Sequence, residues 1–298
     1  MRLSLTLSII ALVVVGAWLV MDLQAVGAWA IERQRWFQNE MASALRALRA
    51  GDAAAYVLLL GAAGSYGFVH AVGPGHGKYL IGGVGLGTSV SMSRLLFVSV
   101  ASSLAQALWA IVIVYGGFSL LEASARGMTS FAEDLLAPAS YAAIGAIGLL
   151  LCFRGGRSLW RANRDGTSAN SHDHAECGCG SHHHAPIEKI AALTSLRECA
   201  ALIGGVAIRP CTGAIFLLVI GWQLDIRIAA AVAVLAMGLG TAALTSLVAV
   251  SSVAARGAAF AWVSGDGAPV VGFHALQIAC GLAILIISAS LLSASALF

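Results

Sequence analysis

The sequence predicts an all-α polytopic membrane protein: a six-helix core of two inverted three-helix repeats with broken helices, plus an N-terminal hydrophobic helix. Three observations carry that prediction. The 298 residues are 59% hydrophobic and only 10% charged, whereas a soluble domain carries about 25% charged residues. Apolar runs near the ~20 residues that cross a bilayer recur along the chain. Two of those runs are interrupted by proline and glycine at matching places in the two halves. A net charge of +3 with no basic patch among aromatics excludes nucleic acid as a partner. No G-x-x-x-x-G-K-[ST] loop is present, so the chain binds no nucleotide through that motif.

Residues 1–30 open with an apolar run from Leu3 to Val20 behind Arg2. They read as a signal peptide or signal anchor, and the length of the run favours the uncleaved anchor. In residues 31–52, Phe37, Met41, Leu45 and Leu48 recur at helical spacing among Arg33, Glu40, Arg46 and Arg49. That pattern suits an amphipathic helix on the membrane surface, or a connector helix packed on the bundle. Residues 53–153 form the first three-helix half, with spans from Ala53 to Val72, from Leu95 to Leu121, and from Pro138 to about Phe153. Gly82 to Ser93 reads as a loop or re-entrant segment, and Glu122 to Ala137 as an acidic connector. Residues 154–190 form a polar loop that starts with Arg154, Arg157, Arg161 and Arg164, which places it in the cytoplasm. Lys78, Arg94 and Arg256 fall on that same side. Residues 191–298 supply the second half, with spans near 193–221, 228–253 and 273–297.

The first interruption is His70-Ala71-Val72-Gly73-Pro74-Gly75-His76-Gly77-Lys78, and the second is Arg209-Pro210-Cys211-Thr212-Gly213-Ala214. Proline lacks an N–H and clashes with the preceding turn, so neither stretch continues a regular helix. Laying Pro210 on Pro74 places Cys211 on Gly75 and Thr212 on His76. Each break falls in the first span of its half. Three spans per half is an odd number, so the second half enters the membrane inverted, and paired breaks point to a substrate site at their interface.

The spans contain almost no carboxylates, which disfavours calcium or magnesium. His70, His76, Cys211 and His274 are the candidate metal ligands, and imidazole with thiolate suits a borderline transition-metal cation. His70 and His76 are six apart, and the Pro74 break is what could bring both rings to one point. Lys78, Arg209, Thr212 and Thr241 are supporting residues. Lys78 snorkels or bonds freed carbonyls, Arg209 neutralises carbonyls at the second break, and Thr241 belongs to a small-residue packing motif. Between the halves, His172, His174, Cys177, Cys179, His182, His183 and His184 fall in one polar tract that holds five of the chain's eight histidines. Such a tract binds metal by composition, and we expect it to capture or sense metal.

These motifs resemble the NicO-type nickel/cobalt transporter family of nickel- and cobalt-efflux permeases. The resemblance rests on His70 to Lys78, on Arg209 to Ala214, on Gly238-Leu239-Gly240-Thr241 and on the histidine loop. It implies a secondary transporter rather than an enzyme, in the bacterial inner membrane. Its cargo would be Ni2+ or Co2+, with Zn2+ as a further candidate, and it would need no cofactor. Its partners are the divalent cation and the lipid bilayer, with a homo-oligomer left open. Efflux is favoured over uptake. Rival readings are a metal uptake permease of the same fold, a transmembrane thiol–disulfide reductase and a non-transporting metal sensor. The reductase needs a second cysteine at the first break, where Gly75 stands instead.

Overall fold

The computed structural model describes residues 2–73, 76–120, 124–168, 196–262 and 268–295, and among them every regular element is helical. The chain is an all-α polytopic membrane protein. Helix α1 runs unbroken from Arg2 to Arg49. It ends where Gly51, at φ +96°, lets the chain reverse, and the amides of Gly51 and Asp52 return to the carbonyls of Leu48 and Ala47 at 3.0 Å each. Asp52 Oδ1 then accepts the Ala54 amide at 3.0 Å, just ahead of α2 (Ala55–Val72). Helices α3 (His76–Gly87) and α4 (Met92–Leu120) follow. Next come α5 (Ala125–Ser130), a wide π-type turn (Phe131–Leu136) and α6 (Ala137–Ser168). The second half contains α7 (Leu196–Ala207), α8 (Thr212–Gln223), α9 (Arg227–Trp262) and α10 (Ala268–Ser295).

Among the described residues five helices are long and apolar enough to cross a membrane, and α7 with α8, bent by 63° at their break, would make a sixth. The apolar surface supports the same conclusion. Val57 is 74% exposed, Leu58 69%, Phe97 65% and Phe153 64%, an outward face suited to lipid rather than water.

The helices gather into two compact units, Met1–Gly75 with Leu217–Leu244, and His76–Phe216 with Thr245–Phe298. In the first unit α1 packs along α2 through one stripe of its second half. Ala30, Met41, Ala44 and Leu45 are buried there, while Arg33, Arg35, Glu40, Arg46 and Arg49 stay exposed. In the second unit α3, α4, α6, α7, α10 and the end of α9 close around Leu80, Ile81, Val84, Leu95, Leu202 and Ile284. Glycines set how closely α6 and α10 approach: a Cβ on Gly148 would stand 2.9 Å from the Gly281 carbonyl oxygen.

Three boundaries differ from the sequence reading. Gly82 to Gly87 is helical rather than a loop, because those glycines face neighbouring helices. A Cβ on Gly83 would stand 2.7 Å from Ile284 Cδ1, and one on Gly85 2.9 Å from Leu95 Cδ2. Lys78 consequently lies in the first turn of α3 and Arg94 in the first turn of α4. The acidic connector is helical from Ala125 onward, since the wide turn ahead of Pro138 absorbs the amide that proline lacks. Finally, α6 continues past Phe153 to Ser168, so Arg154, Arg157, Arg161 and Arg164 ride on its last turns rather than in the loop.

Candidate metal site at the helix breaks

His70 closes α2 and His76 opens α3. Gly73 ends α2 with extended ψ (174°), and its amide returns to the Val69 carbonyl at 3.2 Å. Pro74, Gly75 and the His76 side chain lie outside the described residues. The half-buried His70 ring places Nδ1 3.0 Å from Gln34 Oε1 on α1. It also stacks on the buried Tyr66 ring, with centroids 5.8 Å apart and planes at 10°. Gln38 Nε2 reaches the Tyr66 hydroxyl at 3.4 Å. Two i, i+4 pairs on antiparallel helices thus meet rung to rung, Gln34 with His70 and Gln38 with Tyr66.

Thr241 meets the same end of α2. Its hydroxyl donates to the Gly67 carbonyl at 3.2 Å or to the Met237 carbonyl of its own helix at 3.1 Å. A Cβ on Gly240 would run into the Gly64 carbonyl, and one on Gly67 into the Met237 carbonyl. The Gly-x-Gly-Thr motif therefore seats α9 directly against α2.

At the second break the chain leaves α7 at Ala207 and starts α8 at Thr212. Cys211 is the last residue before α8, and its carbonyl accepts the amides of Ala214 at 3.0 Å and Ile215 at 3.1 Å. Gln106 Nε2 of α4 donates to the freed Arg209 carbonyl at 2.6 Å, and Ser140 Oγ of α6 to that of Gly205 at 2.8 Å. The Arg209 guanidinium donates to the Tyr141 hydroxyl and lies 5.2 Å over the Tyr141 ring. Arg209 is thereby anchored on an aromatic hydroxyl, and other side chains satisfy the opened carbonyls.

Arg256 of α9 donates to the carbonyls of Gly85 at 3.0 Å, Val90 at 3.1 Å and Thr88. A cation fixed at a helix C-terminus also suits the helix dipole. Lys78 stands 5.3 Å over the Tyr79 ring. On α10, His274 carries a buried Nδ1 with no hydrogen-bond partner among the described residues, and its carbonyl would lie 3.2 Å from a Cβ on Gly155 of α6.

Among the described residues no group of three or more His, Cys, Asp or Glu side chains converges to hold a metal ion. The described cysteines, Cys152, Cys199, Cys211 and Cys280, are thiols. The loop candidates His172, His174, Cys177, Cys179, His182, His183 and His184 lie outside the described residues. Gln34, Gln38, Tyr66, Gln106 and Tyr141 escaped the sequence reading. The signal that could have found the first two is their spacing of four on the buried stripe of α1, where polar residues need partners.

The family model NicO, described as High-affinity nickel-transport protein, matches residues 56–194. A Haemophilus influenzae protein, named provisionally as a nickel/cobalt efflux system, is 27% identical over 235 residues, covering 72% of this chain and 70% of its own. No solved structure matches the chain. The family match contains the first break and the histidine tract and ends at residue 194, so the second break lies beyond it. Residues 56–194 of this membrane protein are thus similar to the NicO nickel-transport family, and the matched stretch contains the motif from His70 to Lys78 that carried the resemblance.

Proposed function

We infer that the chain carries a divalent transition-metal cation, Ni2+ or Co2+ with Zn2+ as a further candidate, outward across a bacterial inner membrane. It does so as a secondary transporter. One observation carries this reading: each half holds a helix broken by proline and followed by two long spans, with His70 and His76 flanking the first break and Cys211 at the second. The two halves act as inverted repeats whose breaks give the ion a polar step in an apolar environment. His70, His76, Cys211 and His274 are the ligands in this account. Lys78, Arg209, Thr212 and Thr241 support the breaks, and the histidine tract captures ions at the membrane surface. An imidazole must be unprotonated to bind metal, so ion uptake at the site releases any proton the ring holds. The provisional efflux name of the Haemophilus relative favours the outward direction.

The test is cell-associated nickel in a bacterium lacking its own nickel and cobalt exporters. The chain should lower cell nickel, and His76→Ala should abolish the effect. A rise abolished by the same substitution would keep the site and reverse the direction. Wild type and mutant both equal to empty vector for nickel, cobalt and zinc would end the transport reading.

A further inference from the structure

We propose that Gln34, on the N-terminal helix, fixes the tautomer of His70 and so prepares Nε2 as the nitrogen that takes the metal. The inference rests on the reading of His70 as a ligand, and it adds a positioning residue from outside the segment matched by the family model, which begins at residue 56.

A neutral imidazole has one N–H and one lone pair, on different nitrogens. Gln34 Oε1 is an acceptor only, and it stands 3.0 Å from His70 Nδ1. The hydrogen bond exists only when Nδ1 carries the proton, which leaves the lone pair on Nε2. Ring orientation is fixed as well as protonation. Tyr66 lies nearly parallel to the imidazole at 10°, is 1% exposed, and is held at its hydroxyl by Gln38. The ring therefore has an amide at one edge and an aromatic face along its plane, the outer-shell arrangement that orients metal-bound histidines.

Residue 73 belongs to the same device. A Cβ there would stand 3.2 Å from Gln34 Nε2, closer than side-chain contacts ordinarily come. The Gly73 backbone (φ −59°, ψ 174°) is one that alanine adopts freely. Gly73→Ala would therefore press on the Gln34 amide without straining the chain. Gln34 reaches this position because Ala30, Gln34, Met41 and Leu45 share the stripe of α1 that faces α2.

The experiment uses the full chain in lipid vesicles. Histidine ring 15N shifts give the tautomer, with the His70 signals assigned by their loss in His70→Asn. Nickel flux gives KM and maximal rate. Wild type and Gln34→Glu, which keeps an acceptor oxygen, should show Nδ1–H at His70. Gln34→Leu should lose that signature and raise KM for nickel by about 10- to 100-fold, the usual cost of removing an outer-shell partner. Gly73→Ala should move both readouts the same way by less. A purely structural Gln34 would change protein yield or stability without moving the tautomer. An Nε2–H signature in the wild type, as with the amide turned over, would overturn the proposal even if no variant folds. So would an unchanged tautomer and KM in Gln34→Leu while His70→Ala raises KM. If His70→Ala itself leaves nickel flux unchanged, the ligand reading of His70 fails first, and Gln34 has nothing to position.

Discussion

A methyl group added at Gly240 would run into the Gly64 carbonyl, and one added at Gly67 into that of Met237. These obstacles are backbone, which cannot swing aside as a side chain can. Overpacking of this kind costs about 1–3 kcal/mol and sometimes more. Gly240→Ala and Gly67→Ala should therefore lower the thermal midpoint in detergent clearly. Gly61→Ala, with nothing within 4 Å of the added carbon, should leave it unchanged or raise it. The packing role of Gly238-Leu239-Gly240-Thr241 was legible, because small residues in an apolar run have few other uses. The identity of the facing residues was not, since nothing in the sequence states which helix receives them. His70 repeats the pattern. Its residue type and its place beside a proline marked it, whereas Gln34 sits 36 positions away and pairs with it only once α1 folds back along α2.

Helix α3 shows why an element can be misread. Its text, HGKYLIGGVGLG, has the glycine content of a loop, and in water glycine costs a helix about 1 kcal/mol relative to alanine. Here Gly83, Gly85 and Gly87 admit Ile284, Ser252 and Cys280 to close contact, so packing offsets the poor propensity. The far end of the helix depends on one side chain, Arg256, which meets three carbonyls. Arg256→Leu should leave those acceptors unmet and fray the Gly85–Val90 region, seen as faster amide hydrogen exchange there. The cost should be of the order of 1.5–3 kcal/mol for a charged hydrogen bond lost. Arg256→Lys should recover only part of the protection, because a point charge lacks the guanidinium fork. No change in exchange in Arg256→Leu would show that the cap is dispensable.

At the scale of the whole chain, the histidine tract and the helical core make separable contributions under the proposed function. Deleting residues 171–184 should weaken nickel handling at low external metal and leave flux measurable at high metal, whereas a sensor without transport would lose its whole response. Measuring flux across a nickel series in vesicles with both chains decides between them. The fold class and the position of both breaks were readable from hydropathy and from two prolines. The interleaving of the halves was not. In the second unit α3 and α6 of the first half pack against α10 of the second, and α4 packs against α7. Gly85 faces Ser252, and Gly148 faces Gly281, across that division. A chain built this way ties the fate of one half to the other: a side chain gained at Gly85 requires position 252 to give ground in the same lineage, and one gained at Gly148 requires the α6 and α10 backbones to part.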